Sequence, residues 1–409
     1  MKELKLRFKR ETVDSLLLAF MLNIKLLNQI VVSVIPSLSG YALIGLYVVL
    51  AAFIILSVIL DGKYRAKKGM LLTVAVLLAA YAVSYSIYGN KLSITPAMFV
   101  CYVILPFFSF RNFNIKQVLF FTMWLSVLAL PFSERILSYN ANGAMDMSIA
   151  YFFLINTSAA ILYAYSYGEW KKNAIAYLAN LYCIYMLFTH GSRGVIMSLG
   201  ILVILLFIIK YEPETRSAHI RQGKAAVIII AILIIAVSFE ELLIVLGGIL
   251  AKLNISARFV TKSLNLLAAG NLDNGRSVFL LAGLRGFLKS PIWGNGIASF
   301  AYLNNGMVFP HNAIIQAMHD GGILLTAFLL WTGFGYSGRI LKDCSKDMLM
   351  IWILFFVIAV PGSMVSHDLW GAFLWPFFAF LTNCAERRTG TDGKQEYAKP
   401  DSVNERQTT

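Results

Sequence analysis

Charged residues are scarce in this chain. They make up 14% of its 409 residues, hydrophobic residues make up 58%, and mean hydropathy is +0.71. Soluble domains carry about 25% charge, so a water-soluble fold is excluded and a polytopic membrane protein remains. Acidic groups are scarcer than basic ones, 21 against 35. Cysteine is also rare. Cys101 and Cys183 fall inside apolar runs, while Cys344 and Cys384 fall at what is read below as the inner side. That placement excludes a disulfide framework, and no spacing suits zinc or iron–sulfur ligation. The apolar–polar alternation of a membrane barrel is missing, which leaves helices. There is no nucleotide-binding loop, no flavin or nicotinamide fingerprint, no HExxH pattern and no GxSxG nucleophile elbow. Those absences argue against the common ATP-driven, redox, zinc-protease and serine-hydrolase classes.

The chain is rich in apolar runs of membrane-crossing length. They predict an all-α helical bundle of about 12 spans, near 13–35, 41–60, 70–88, 92–110, 115–132, 147–167, 174–190, 195–209, 225–247, 312–337, 348–362 and 368–384. Basic residues set the orientation. With the amino terminus inside, every inner segment carries at least two Lys or Arg, including Lys63, Arg65, Lys67 and Lys68, and no short outer loop has more than one. Both termini are therefore expected in the cytoplasm. The net charge of +14 follows from this topology and needs no nucleic acid. The first apolar run follows a basic start as a signal peptide would, but Asn23, Lys25, Asn28 and Gln29 interrupt it and no small-residue cleavage site follows, so it reads as a retained helix. Residues 1–384 thus form one transmembrane domain, interrupted by a large external loop near 248–311. Residues 385–409 read as a polar, disordered cytoplasmic tail. No internal repeat is visible.

The external loop carries Lys252, Arg258, Lys262, Arg276, Arg285 and Lys289 against the single acid Asp273. Two readings stay open for Lys252, Arg258 and Lys262: contact with water or anionic lipid head groups, or reception of an anionic substrate. Asp273-Asn274 is placed to cap a helix from Gly275 to about Lys289, ending at Pro291. Its apolar face would be Phe279, Leu280, Gly283, Leu284 and Phe287, with Arg276 on that face and Arg285 nearly opposite. An arginine at a helix amino terminus suits an anion, because backbone N–H groups add to its charge.

Polar residues gather where the following span begins. His311 follows Pro310 at the outer surface, and Asn312, Gln316 and His319 recur on one helix face beside Asp320. Over these residues the stripe descends about 12 Å. His319 and Asp320 suit a structural hydrogen bond between helices; His311, next to a cationic loop, suits a proton acceptor. At the same face, His190-Gly191-Ser192-Arg193-Gly194 forms a tight turn between two spans, where a guanidinium can grip phosphate oxygens in pairs. Arg193 and Arg276 would hold a diphosphate leaving group, Ser192, Arg258, Arg285, Asn312 and Gln316 would line the substrate, and His311 would take a proton from an attacking hydroxyl. Lys25, mid-span beside Asn28, Gln29 and Ser33, reads as part of a buried polar seam. His367-Asp368 lies at an outer span end without an evident partner.

Gly191-Ser192-Arg193-Gly194, Gly275-Arg276, the run Gly286 to Gly296, and Pro310-His311-Asn312 with Gln316 and Gly321-Gly322-Ile323 together resemble the bacterial O-antigen ligase and O-antigen polymerase family. The resemblance covers about residues 180–335. It implies a GT-C-like membrane glycosyltransferase in the cytoplasmic membrane, with an external active site, an undecaprenyl-diphosphate-linked oligosaccharide donor, and neither metal nor cofactor. It implies that Arg193, Arg276 and His311 are the functional positions, and that a chain-length regulator and a flippase of the same pathway are partners. The short segment between Gly296 and Pro310 favours a repeat-unit polymerase for O-antigen, capsule or exopolysaccharide over a ligase, which would move finished glycan to an acceptor. A lipid-sugar flippase or transporter is the alternative of another class. It would be expected to put its polar groups near the midplane on repeated halves, and a non-catalytic assembly partner gives no reason for Arg276 and His311.

Overall fold

A computed structural model describes residues 10–61, 66–110, 113–139, 147–208, 239–254, 257–270, 273, 275–342, 345–365, 367–371 and 374–385. The expected tail, the loop at 210–224 and most of the span at 225–247 lie outside the described residues. Every regular element among the described residues is helical. Numbering helices of eight residues or more gives α1 Arg10–Val34, α2 Ala42–Asp61, α3 Lys68–Tyr88, α4 Ile115–Ala129, α5 Met147–Tyr167, α6 Ala174–His190 and α7 Arg193–Ile208. After these come α8 Phe239–Lys252, α9 Arg258–Ala268, α10 Arg276–Lys289, α11 Ala313–Leu330, α12 Lys346–Val365 and α13 Trp375–Ala385.

Among the described residues, six helical stretches are long and apolar enough to cross a membrane: Arg10–Val34, Ala42–Ile59, Lys68–Lys91, Ile115–Ile136, Ala313–Lys342 and Lys346–Val365. Their surroundings are apolar too. Phe53, Ile59 and Leu72 on α2 and α3 stand more than half exposed, an arrangement suited to hydrocarbon rather than water. The expected span at 92–110 is broken into short pieces around a π-turn at Val100–Ile104. The last expected span starts late, because residues 367–371 form a turn and α13 begins only at Trp375.

At the centre lies α12, buried along most of its length and packed against α4, α5, α7, α11 and α13. Segments read from charge as inner meet at one end of the bundle. There Asn114 Nδ2 donates to Glu11 (3.1 Å), Lys116 pairs with Glu169 (2.8 Å) and Lys346 Nζ donates to the Ser166 carbonyl (2.9 Å). The segments read as outer gather at the other end.

One splice organises that second end. Helix α11 breaks at Gly322, whose φ of 62° and ψ of −158° suit glycine alone. The break frees backbone groups, and the segment after α10 takes them up. Asn295 N donates to His319 O and Gly296 N to Asp320 O, both at 2.8 Å, while Ile323 N donates to Pro291 O at 2.8 Å. Close approach requires the glycines: a methyl on Gly294 would overlap the Asp320–Gly321 backbone, and one on Gly322 would overlap Ile292. Gly286 likewise lets α10 lie directly on the His319 ring of α11.

Candidate anion cleft and its histidine

Arg193, Arg258 and Arg276 are each the first residue of a helix, α7, α9 and α10 respectively. A positive side chain at the positive end of a helix dipole is unfavourable on its own. Three such ends nevertheless converge here. One cleft is lined by Gly191, Ser192, Arg193, Gly194, Arg258, Phe259, Lys262 and Arg276. Four of those residues are cationic, and no carboxylate lines the cleft among the described residues. Its volume is about 40 Å³, room for about three waters at about 10–15 Å³ each.

Local sequence explains each placement. Only Gly191 and Ser192 separate α6 from α7. Gly191 N donates to Leu187 O (2.9 Å), and a methyl at Gly191 would overlap that carbonyl, so the turn needs glycine. Arg258 and Lys262 sit one helical turn apart on α9 and share a face. Asp273 caps α10 as its position suggests, accepting from Gly275 N and Ser277 N at 3.0 Å. The Ser277 side chain first, then these two backbone bonds, hold the Asp273 carboxyl below the usual range. The expected apolar face of α10 packs on α11, Gly283 against Ile315 and Pro310.

The electrostatics match the crowding. Burial lowers the Lys262 ammonium pKa, and Arg258, Arg193 and Arg276 lower it further. Arg276 is also lowered, by burial first and then by Arg193. His311 feels the same field, lowered by burial and then by Arg276. It therefore stays a neutral imidazole, able to accept a proton, around and below its ordinary value. His311 stands in the left-handed region, φ 58°, with Phe279 edge-on at 5.4 Å and Phe309 at 4.4 Å between ring centroids. Its Nδ1 is enclosed without a hydrogen-bond partner, as is the Ser192 hydroxyl.

Arg193, Ser192, Arg258 and Arg276 thus meet, and His311 stands within electrostatic reach. The other expected site residues are used differently. Arg285 and Lys252 are exposed and do not line the cleft. Asn312 caps α11, accepting from Ile314 N and Ile315 N, and donates to Met364 O. Gln316 is buried; it donates to Asp368 Oδ1 (2.6 Å) and accepts from Leu369 N (2.8 Å). Fold contacts thus engage the Asn312 and Gln316 side chains, and Arg285 stands exposed away from the cleft. His319 and Asp320 are structural as expected. They bond each other at 2.6 Å, and Asp320 Oδ2 accepts from Trp370 Nε1 (2.6 Å) and Ala298 N (3.1 Å).

Two residues escaped sequence reasoning as site neighbours. Tyr151, at the start of α5, interacts electrostatically with Arg276, and its ring lies 4.0 Å from that of His367. A lone tyrosine at a span end carries no signal that separates it from an interfacial anchor. Phe259 merely follows Arg258. Lys25 lies over the Tyr102 ring at 5.2 Å and feels His367 and Asp368, which supplies the partner that the sequence left open. Among the described residues no group of three His, Cys, Asp or Glu is placed to hold a metal ion. No family model, curated protein or solved structure matches this chain.

Proposed function

We propose that this protein is a membrane glycosyltransferase that joins undecaprenyl-diphosphate-linked repeat units of a surface polysaccharide, in the manner of an O-antigen polymerase. In this reading the chain crosses the cytoplasmic membrane twelve times with both termini inside, and the cleft opens at the outer face. The observation that carries the proposal is the convergence of three helix starts, each led by an arginine, beside a histidine held neutral.

The chemistry follows from those groups. Arg193 and Arg276, with Arg258 and Lys262, hold the donor's diphosphate and offset the charge that grows on it as the sugar C1–O bond breaks. The attacking sugar hydroxyl forms the new C1–O bond and gives its proton to His311. Undecaprenyl diphosphate leaves. No ATP is needed, because the lipid diphosphate carries the driving force.

Replacing His311 by alanine tests the assignment. The variant is expected to remain inserted and abundant while chain growth stops and single lipid-linked repeats accumulate. Long glycan of normal length in that strain refutes the proton-acceptor role. Deleting the gene separates polymerase from ligase: glycan reduced to one unit supports the polymerase, while long chains stranded on the carrier lipid support the ligase.

A further inference from the structure

His190 stands at the arginine cleft without a part in the transfer chemistry. It ends α6, one residue before Gly191 in the cleft wall. Contacts across the cleft hold this turn in place. Phe188 meets Phe259, another lining residue, edge-on at 6.3 Å between ring centroids, and Arg258 interacts electrostatically with the His190 imidazole. His190 is half-buried, so a ligand can reach it.

The hydrogen bonds beside it fix its tautomer. Thr189 Oγ1 lies 2.9 Å from Tyr185 O, 3.4 Å from Met186 O and 2.7 Å from His190 Nδ1. A hydroxyl has one proton to give, and a carbonyl can only accept. Thr189 therefore donates back into its own helix, and the contact to His190 is made by Nδ1–H donating to Thr189 Oγ1. That leaves Nε2 as the basic nitrogen.

The charge around it is positive. Arg258 and Lys262 come from α9, Arg193 from α7 and Arg276 from α10. Other elements packed on α6 add little at this end. Tyr151 of α5 interacts with Arg276, and Lys116 of α4 is paired with Glu169 at the inner end. The short helix Ser133–Tyr139, whose Ser133 hydroxyl lies 3.4 Å from that of Tyr182 on α6, carries exposed Glu134 and Arg135. A diphosphate in the cleft would bring negative charge to the imidazole and favour its protonated form.

We propose that His190 is the proton donor to the departing diphosphate, an assignment that rests on the function proposed above. Nε2 takes a proton from solvent as the anion enters. When the sugar C1–O bond breaks, its electron pair stays on the phosphate oxygen, and the Nε2 proton goes to that oxygen. His311 meanwhile takes the proton of the attacking hydroxyl, and exchange with water resets both histidines.

The experiment is calorimetry of inorganic pyrophosphate binding to the full-length protein in nanodiscs. Buffers of different ionisation enthalpy, near neutral pH, count the protons taken up. The protein carries His311→Gln, so that uptake by His311 does not enter. Comparison with the same protein carrying His190→Gln as well cancels the protons that pyrophosphate itself gives or takes. The difference is expected to be a net uptake of up to about one proton. His190→Gln is expected to weaken binding about tenfold near about pH 6 and less than about twofold near about pH 8. Equal proton counts, or an affinity change independent of pH, overturn the inference. If these variants fold poorly, diethyl pyrocarbonate labelling of the unaltered protein decides, because an imidazolium is not acylated. Pyrophosphate should protect His190, and equal labelling with and without it refutes the assignment. In turnover with a lipid-linked donor, His190→Gln should lower kcat and remove the fall in rate on the basic side, which loss of a merely structural residue leaves in place. Transfer whose basic limb is unchanged by His190→Gln keeps the proposed activity and refutes the proton donor. A protein that shows the His190-dependent uptake but transfers no sugar loses the activity and keeps His190 as a proton-linked phosphate ligand.

Discussion

Replacing Arg193 by lysine separates two things the cleft supplies, charge and fork geometry. The positive charge at the start of α7 stays, while the paired N–H contacts to an oxyanion are lost. A hydrogen bond to a charged group contributes about 1.5–3 kcal/mol, and Arg193 is half-buried, so solvent screening puts its share at the low end. Lysine keeps one of the two contacts, so the expected loss is about 1 kcal/mol, or about fivefold in Kd. Arg193→Gln also removes the charge. At an effective dielectric of about 20, one unit charge about 4 Å from another is worth about 4 kcal/mol, and three remaining cations and water compensate part of it. The expected loss is then about 10–100-fold. The assay is calorimetric binding of inorganic pyrophosphate to the protein in nanodiscs across a series of salt concentrations. Affinity should fall with salt in the unaltered protein, equally steeply in Arg193→Lys and less steeply in Arg193→Gln. A lysine variant that binds as well as arginine reduces Arg193 to a point charge. A glutamine variant that binds normally removes Arg193 from the site, and pyrophosphate binding that ignores salt throughout refutes the anion cleft.

Other perturbations reach the remaining parts. His311 should titrate by NMR below about 6.5, and Arg276→Gln should move its midpoint upward because one of the two causes of the shift is removed; an unmoved midpoint means that the two residues do not share a field. Because its folded value is depressed, its contribution to stability is complete above the unfolded value and is lost as pH falls through the folded one, so melting temperature should drop across that interval. Gly322→Ala meets both a glycine-only conformation and the Ile292 backbone, costing at least about 1–3 kcal/mol, whereas Gly338→Ala should melt no lower than the unaltered protein. The opposite order would dissolve the splice. Gln316→Leu should lose about 1–3 kcal/mol of stability by stripping the contacts to Asp368 and Leu369, yet leave pyrophosphate affinity intact. A weakened affinity would restore Gln316 as a substrate contact.

The fold was legible wherever a single helix speaks for itself. Apolar runs and basic flanks located α1 to α7, α11 and α12, and the Asp273 cap located α10 within one residue. Helix breaks were less legible. Nothing in the composition of 92–110 announces a π-turn at Val100, and His367-Asp368 looked like a span end although it forms a turn tied to Gln316. Site residues followed the same division. Arg193 and Arg276 stood out because each is next to glycine in an apolar chain, and Lys262 was named with Arg258 among loop cations open to an anion. The fold contacts of Gln316 and Asn312 could not be read, for a physical reason. A polar stripe on a membrane helix must be satisfied by something, and sequence cannot distinguish a substrate from the backbone of residues 364–369.

The glycine motifs sharpen this point. Gly294-Asn295-Gly296 looks like a loop offering N–H groups to an anion. In the fold Asn295 N and Gly296 N donate instead to the carbonyls freed by the break in α11. Backbone donors are thus consumed in joining the α10 segment to α11, and the Asn295 side chain is consumed as well, donating to Gly286 O and His319 O at 2.9 Å. An anion arriving at this end of the bundle has to be met by side chains and by the starts of α7, α9 and α10. All three starts carry arginine although the dipoles are already positive there, so this end of the bundle concentrates positive charge. Rigid glycine joints fix His311, at the head of α11, relative to Arg276, at the head of α10. His311 and Arg276 are therefore carried by helices that the splice ties together.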